Sequence, residues 1–126
     1  MHSQALLALA FSVLASASPT LQKRVSASIT LFPDKNFGGA GYTIPFNIQG
    51  PTCVAATLPS SIDLKASSVR LSSHTGFNCR LVANRDCNID HVNNATWFFN
   101  VDIPDLSTDD YMHMEDRVRS VTCTSV

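Results

Sequence analysis

Between residues 29 and 46, apolar and polar side chains alternate along two runs of the chain, which is the pattern of β-strands with one buried face. The apolar positions are Ile29, Leu31, Tyr42, Ile44 and Phe46. Three glycines, at positions 38, 39 and 41, lie between the runs and permit the positive φ of a tight reversal. The segment therefore predicts a hairpin whose turn is bracketed by Phe32 and Phe37.

The rest of the pattern also predicts strands. Residues 52–58 are predicted to form a third strand, and residues 67–72 a fourth. Residues 96–101 predict a strong strand because aromatic and β-branched residues favour pleated sheets. Its aromatic side chains are expected in the core: Trp97, Phe98 and Phe99. Any helix is limited to a turn or two within residues 58–64 or 105–112, since no segment holds a long apolar repeat at helical spacing.

The hairpin carries the motif Phe32-Pro-Asp-Lys-Asn-Phe37-Gly-Gly39, which resembles the folded-hairpin signature of the βγ-crystallin Greek-key family. Asp63-Leu-Lys-Ala-Ser67-Ser68 resembles the start of that family's fourth strand. A partial second copy follows about 50 residues later. Residues 115–123 repeat the fourth-strand pattern, but residues 79–87 have a valine and a cysteine at the aromatic positions and lack the glycine. The signature of the fold-back is therefore largely lost in the second copy.

This resemblance implies an all-β sandwich of two Greek-key motifs, in which each unit lends its third strand to the other unit's sheet. The cysteines lie at positions 53, 79, 87 and 123, and their even number in a secreted chain predicts two disulfides. In the implied topology, Cys123 ends a strand flanked by strands that begin at Cys79 and Cys53, so either is a potential partner. Zinc is the competing interpretation, but the sequence has no Cys-x-x-Cys or His-x-x-x-His spacing.

The N-terminus has the features of a secretory leader. An apolar run over residues 5–14 is too short to span a bilayer and ends in Ala15-Ser-Ala17, a small-residue pattern typical of signal-peptidase cleavage. Lys23-Arg24 resembles a kexin-type processing site. The predicted organisation is a signal peptide over residues 1–17, a propeptide over residues 18–24 and one secreted βγ-crystallin-like domain over residues 25–126.

The resemblance also implies calcium-binding sites. In calcium-binding relatives each site is built crosswise, from a hydroxyl and backbone carbonyls of one unit and an Asp or Asn side chain of the other, which are oxygen ligands suited to a hard cation. Here the first unit keeps the hydroxyl but has Leu64 at an acidic position, and the second keeps the acid but has Arg119 at the hydroxyl position. One weak site, with an affinity on the order of 0.1–1 mM, is predicted. Its ligands are Ser67, Asp116, Lys65 and Asp34.

The second crosswise site is predicted to be lost. There Arg119 is expected to replace the cation by pairing with Glu115 or Asp110. An alternative remains open for the first site, in which Ser67 and Asp116 hold the loops through hydrogen bonds to backbone amides.

Charge and composition exclude several functions. Removal of Lys23-Arg24 leaves seven basic and ten acidic residues, a formal charge of −3 without a basic patch, so nucleic acids and anionic membranes are poor partners. The only mature glutamate, Glu115, already belongs to the fourth-strand signature, and His113 is interpreted as a solvated loop residue rather than a general acid or base. No Gly-x-Ser-x-Gly elbow is present, and we predict no catalytic activity.

The predicted function is that of a small secreted, non-enzymatic binding module, whose partner is an extracellular protein or a ligand of the cell surface or cell wall. By analogy, an antimicrobial or killer-toxin-like effector is an alternative. A protease inhibitor acting through an exposed loop, at residues 72–77 or 104–112, is another. Asn94-Ala-Thr96 is a sequon and predicts N-glycosylation at Asn94.

Overall fold

The computed structural model describes residues 23–126. The predicted signal peptide and residues 18–22 of the predicted propeptide lie outside the described residues. Six strands and short 3-10 turns make up the described chain. The strands are β1 (Val25–Phe32), β2 (Tyr42–Ile48), β3 (Thr52–Ala55), β4 (Ser68–Leu71), β5 (Phe77–Val82) and β6 (Ser120–Ser125). The 3-10 turns are Lys35–Phe37, Arg85–Cys87, Val92–Asn94 and Asp109–Tyr111.

The strands form two antiparallel sheets, in the orders β2-β1-β4 and β3-β6-β5. Strand β3 belongs to the first repeat but pairs with β6 of the second. Reciprocally, Ile103 of the second repeat pairs with Val69 of β4, through N–H···O distances of 2.8 and 2.9 Å. This exchange confirms the predicted all-β sandwich, because each sheet is completed by the third strand of the other repeat.

The core lies between the sheets and follows the alternation in the sequence. In β2 the buried positions are Ile44, Phe46 and Ile48, and in β5 they include Phe77, Cys79 and Leu81. Phe46 and Phe77 meet edge to face across the sandwich, with ring centroids 5.3 Å apart, a geometry that adds to the free energy of burial. Polar residues on the same strands face outward, which is what one buried face per sheet requires.

The first hairpin folds back at a corner formed by Asn36 and Phe37, whose φ angles are 56° and 62°. The hydroxyl of Ser68 joins the corner to β4, since it accepts from Phe37 N–H at 2.9 Å and donates to the Asp34 carbonyl at 2.6 Å. Phe37 also packs edge to face on Phe32, with ring centroids 5.9 Å apart. The predicted hairpin is therefore held by a buried hydroxyl as well as by its two aromatics.

The second hairpin folds back in the same way, although its sequence has largely lost the fold-back signature. Asp86 and Cys87 have φ angles of 60° and 53°. The buried hydroxyl of Ser120 accepts from Cys87 N–H at 3.0 Å and donates to the Asn84 carbonyl. The left-handed residue pair and the serine define the corner, and neither requires an aromatic side chain.

A disulfide takes the place of the aromatic contact in the second corner. Cys87, at the position of Phe37, is bonded to Cys53 on β3. The other disulfide joins Cys79 and Cys123, which face each other across β5 and β6 and are fully buried. The bonds close loops of 34 and 44 residues, and each stabilises the fold by about 4 kcal/mol in the chain-entropy estimate.

The predicted strand over residues 96–101 is wrong as a regular element. Val82 pairs with Ala95 and Cys79 pairs with Phe99. The two residues between these pairs on β5, Arg80 and Leu81, therefore lie opposite three residues of the adjacent segment, residues 96–98. This mismatch is a β-bulge opposite Arg80, and it interrupts the in-and-out alternation. As a result Trp97 and Phe98 are 63% and 46% exposed rather than in the core. Of the three aromatics, only Phe99 is buried, where its ring meets that of Tyr111.

Replacing Ser120 with alanine leaves the Cys87 N–H and the Asn84 carbonyl without their hydroxyl partner. We expect Ser120→Ala to lower the free energy of unfolding by about 1–3 kcal/mol, because unpaired buried polar groups carry their full desolvation cost. Urea denaturation with the disulfides intact measures this change. Ser73→Ala, an exposed loop serine, is the control and should stay within about 0.5 kcal/mol of the wild type. Equal effects of the two changes would contradict the proposed role of the Ser120 hydroxyl.

Candidate functional site

The two fourth-strand signatures, residues 63–68 and 115–120, meet at an approximate two-fold axis. Leu64 and Asp116 occupy equivalent left-handed positions, with φ angles of 60° and 59°. Leu64 N–H donates to the Val118 carbonyl at 3.1 Å, and Asp116 N–H donates to the Ala66 carbonyl at 3.0 Å. The reciprocal hydrogen bonds bring the first acidic residue of each signature close to the fifth residue of the other.

At one crosswise position a guanidinium group pairs with a carboxylate. Arg119 donates from Nε and Nη2 to the two oxygens of Asp63, at 3.3 and 3.1 Å. These hydrogen bonds raise the pKa of Arg119 despite its partial desolvation. Arg85 approaches the same carboxylate at 4.0 Å, and the Asp63 side chain is only 16% exposed. The predicted pairing of Arg119 with Glu115 or Asp110 is wrong, because the crosswise geometry presents Asp63.

At the other crosswise position the hydroxyl of Ser67 donates to Glu115 Oε1 at 3.3 Å. Lys35 places its Nζ 3.8 Å from Glu115 Oε2 and 3.8 Å from Asp105 Oδ1. The hydroxyl and the backbone N–H of Ser107 lower the pKa of Asp105, and Lys35 adds to this effect. An ammonium group and two carboxylates thus stand beside the hydroxyl that was predicted to bind calcium.

The other predicted calcium ligands lie around this position. Asp116 is exposed. The Asp34 carbonyl already accepts the short hydrogen bond from the Ser68 hydroxyl. Lys65 is exposed, and its N–H donates to the Ile62 carbonyl at 2.9 Å. Within residues 23–126 no group of three or more His, Cys, Asp or Glu side chains is arranged to hold a metal ion.

Sequence reasoning missed Lys35, Asp105 and Glu115 as neighbours of Ser67. Glu115 had a usable signal, since it occupies the position in the second signature that Asp63 occupies in the first. Lys35 and Arg85 are also related by the 50-residue offset, and they approach Glu115 and Asp63 respectively. The basic residue of each repeat therefore lies beside the acidic residue of the other repeat.

A cleft of about 370 Å³ lies beside the 3-10 turn Asp109–Tyr111 and is lined by Asn93, Asp109, Met112, His113 and Arg117. Arg117 donates to the backbone carbonyls of Met112 and Asn93 at 3.1 and 3.0 Å, which ties two loops together. The His113 ring contacts the Ser107 carbonyl through Nδ1, at 2.6 Å, and the Asp109 carboxylate through Nε2. The side chains of Arg117, His113 and Asp109 are thus engaged in contacts within the protein.

The sequon at Asn94 lies beside this cleft. Asn94 Nδ2 donates to Asp90 Oδ1 at 2.8 Å, and this bond and one from Asn84 lower the pKa of Asp90. The hydroxyl of Thr96 is buried and accepts from Leu81 N–H at 3.1 Å. Glycosylation at Asn94 stays a prediction.

The bulge in the second sheet creates a different surface. Arg80, opposite the bulge, donates from Nε to the Thr96 carbonyl at 2.6 Å, and its Cζ lies 5.3 Å from the centroid of the Phe98 ring. Among the residues of β3, β5 and β6, Arg80 is the only charged one. We call Arg80, Trp97 and Phe98 the bulge cluster. It combines two exposed aromatic rings with a guanidinium group held in a fixed orientation.

The first sheet has its own charged cluster, around Asp102. Burial, the largest single influence, raises the pKa of this carboxyl, but several effects together outweigh it and lower the pKa. These are the hydrogen bond from Leu71 N–H, at 2.8 Å, the contact with His74 Nε2, at 3.0 Å, and the charges of His74 and Arg70. The exposed loop that contains His74 is one of the predicted inhibitory loops, which stay predictions.

A carboxyl whose pKa is lowered by folding contributes stability above its unfolded pKa, close to 3.8, and loses it as pH falls through the folded value. We expect the stability difference between the wild type and Asp102→Asn to be fully present above about pH 5 and to shrink below about pH 4. Thermal unfolding over this range measures it. Asp110→Asn, at an exposed position, is the control. A difference that did not change with pH would contradict the role given to the Asp102 charge.

Comparison with solved structures shows which fold this is. An archaeal βγ-crystallin superimposes with a TM-score of 0.52 and 14% identity, over 81% of this chain and 100% of that one. The N-terminal domain of Protein S superimposes with a TM-score of 0.54 and 19% identity, over 79% of this chain and 98% of that one. A βγ-crystallin domain from Flavobacterium johnsoniae superimposes with a TM-score of 0.53 and 20% identity, over 77% of this chain and 93% of that one. Neither a family-level sequence profile nor a curated protein sequence matches the chain.

Proposed function

We propose that this chain, which has the βγ-crystallin fold, is a secreted, non-enzymatic protein that binds an extracellular ligand through its bulge cluster. The observation that carries the proposal is the exposure of Trp97 and Phe98 beside Arg80. Large aromatic side chains stabilise the fold when buried, and a bulge that turns two adjacent ones outward forgoes that stabilisation. Bulges often re-aim side chains at functional sites, which supports a binding role for this edge.

The scaffold suits such a role outside the cell. Two disulfides connect β3 with the second corner and β5 with β6, the strands that carry and adjoin Arg80. Disulfides persist in oxidising compartments, and the predicted leader agrees with export. No helix within residues 23–126 has the length and apolarity to cross a membrane. A rigid support lowers the entropy cost of presenting exposed aromatics to a ligand.

The proposal of a non-enzymatic role is supported by the contacts in the cleft. Arg117 is occupied by backbone carbonyls, and the His113 ring contacts Ser107 and Asp109. A general acid or base must reach a substrate proton at hydrogen-bond distance. These groups instead join loops to each other, which favours a structural role.

Calcium, in this proposal, has at most a weak role because basic side chains supply positive charge at both crosswise positions. Arg119 pairs with both oxygens of Asp63. Lys35 stands 3.8 Å from the carboxylates of Glu115 and Asp105. A calcium ion bound at Ser67 has to compete with the ammonium group of Lys35, since like charges repel. Removal of Lys35 is therefore expected to strengthen calcium binding.

Thermal unfolding of the mature chain, in chelator and then in calcium, tests this competition. At a dissociation constant of about 1 mM, about 5 mM calcium stabilises the folded state by about 1 kcal/mol and raises the midpoint by about 4 °C or more. We expect a shift of this size in Lys35→Ala and a clearly smaller one in the wild type. Lys65→Ala, which removes an exposed lysine but keeps its carbonyl, is the control and should behave like the wild type. Equal shifts in all three proteins would contradict the competition.

The binding role itself is tested with Trp97, which is the only tryptophan of the chain. Its fluorescence reports directly on the bulge cluster because the ring is exposed. We expect emission to shift on titration with at least one class of extracellular polymer, from a panel of neutral polysaccharides, acidic polysaccharides and matrix proteins. Sedimentation with the same polymer should show binding weakened at least about tenfold in Trp97→Ala, the loss of roughly 1.4 kcal/mol.

The matched control is Tyr42→Ala, which removes an exposed aromatic from the edge of the first sheet. This variant should bind as the wild type does. Failure of every polymer in the panel to bind, or binding unaffected by Trp97→Ala, would refute the proposed function.

A further inference from the structure

We infer that the bulge cluster recognises an acidic polysaccharide, whose sugar rings stack on the exposed aromatics and whose carboxylate pairs with Arg80. This inference rests on the proposed function, since it names the ligand class of the same surface. Binding of such a ligand requires a free cationic donor, an aromatic platform and a surface geometry that favours sugar rings over other partners.

The donor is the guanidinium group of Arg80. Its Nε donates to the Thr96 carbonyl at 2.6 Å and its Cζ lies 5.3 Å from the Phe98 ring centroid. Among residues 23–126, neither Nη atom of this side chain has a hydrogen-bond partner or a carboxylate within ion-pair distance. Arg70 on the first sheet differs, because it lies over Phe37 but has Asp102 4.0 Å away. The planar guanidinium of Arg80 is therefore oriented and available for bidentate pairing with a carboxylate.

The platform consists of Trp97 and Phe98, which lie next to each other in the chain and are both exposed. Aromatic faces stack against the C–H faces of pyranose rings, and the buried area desolvates the adjacent ion pair. The outward positions of the neighbouring strands carry one amide and two hydroxyl groups that can hydrogen-bond to sugar hydroxyls, the hydroxyls as acceptors because they already donate to backbone carbonyls. They are Asn78, Thr122 and Thr124.

The bulge argues against a peptide that adds a strand to this edge. Strand addition needs a regular row of free N–H and C=O groups, and the bulge at Trp97 and Phe98 interrupts that row. Leu81 N–H is paired with the hydroxyl of Thr96 rather than with a carbonyl, which makes the ladder still less regular. Recognition at this edge therefore depends on side chains. Trp97 and Phe98 offer aromatic stacking, and Arg80 offers one positive charge.

The charge distribution argues against nucleic acids, which also stack on aromatics. Binding of single strands combines stacking with a basic groove that follows the phosphates. Here Arg80 is the only charged residue of β3, β5 and β6, so these strands carry no row of cations that could follow the phosphates. One cation beside an aromatic platform matches a carboxylate on a sugar better than a row of phosphates.

The inference is tested with polygalacturonate, alginate and hyaluronan, each titrated in chelator so that calcium cannot cross-link the polymer. Methyl-esterified polygalacturonate serves as the matched neutral probe, and a single-stranded oligonucleotide as the polyphosphate probe. We expect Trp97 fluorescence and sedimentation to show binding to at least one uronate polymer. Binding should fall at least about tenfold with the methyl ester, with Arg80→Gln and with Trp97→Ala, while Arg70→Gln should bind as the wild type does.

The outcomes separate this inference from the proposed function. Binding to neutral polysaccharide or to a matrix protein that depends on Trp97 but not on Arg80 overturns the inference and leaves the binding role intact. Tighter binding to the oligonucleotide than to every uronate polymer also overturns it. Absence of binding by the whole panel overturns both. Arg80→Lys distinguishes charge from shape, because bidentate pairing predicts that lysine restores only part of the affinity.

Discussion

The exchange of third strands between the two repeats is the constraint on which the rest of the structure depends. Because β3 completes the second sheet and residue 103 extends the first, neither repeat can bury its apolar face alone. The exchange brings the two signature loops together at the two-fold axis. It also leaves residues 95–99 beside β5 at an outer edge, where a bulge can form without disturbing a neighbouring strand.

At each crosswise position, side-chain charges occupy the place where the family resemblance implied a cation site. Arg119 and Arg85 converge on Asp63, and Lys35 faces Glu115. Exposed ion pairs contribute little on their own, but Asp63 is mostly buried, so its charge needs a partner. The loops are therefore joined through groups that the chain itself supplies.

The sequence predicted those features that depend on local pattern. Alternation and the glycines identified the first hairpin, and the family resemblance implied the strand exchange. The second corner was missed because its determinants are two left-handed residues and the hydroxyl of Ser120, 33 residues away, rather than the aromatics. The bulge was missed because one extra residue changes which side chains face the core, and the run Trp97-Phe98-Phe99 gives no sign of where it falls. The partner of Arg119 depends on long-range geometry that only the assembled loops define.

The edges of the sheets bear on how the protein avoids aggregation. An exposed strand edge is a template for pairing with another molecule. Here β2 carries Pro45, which lacks an N–H, β3 has an irregular register between Cys53 and Ala55, and the outer edge beside β5 has the bulge. Each of these interrupts a continuous ladder. Such edges disfavour strand-to-strand pairing between copies of the chain, which lowers its tendency to aggregate at high concentration.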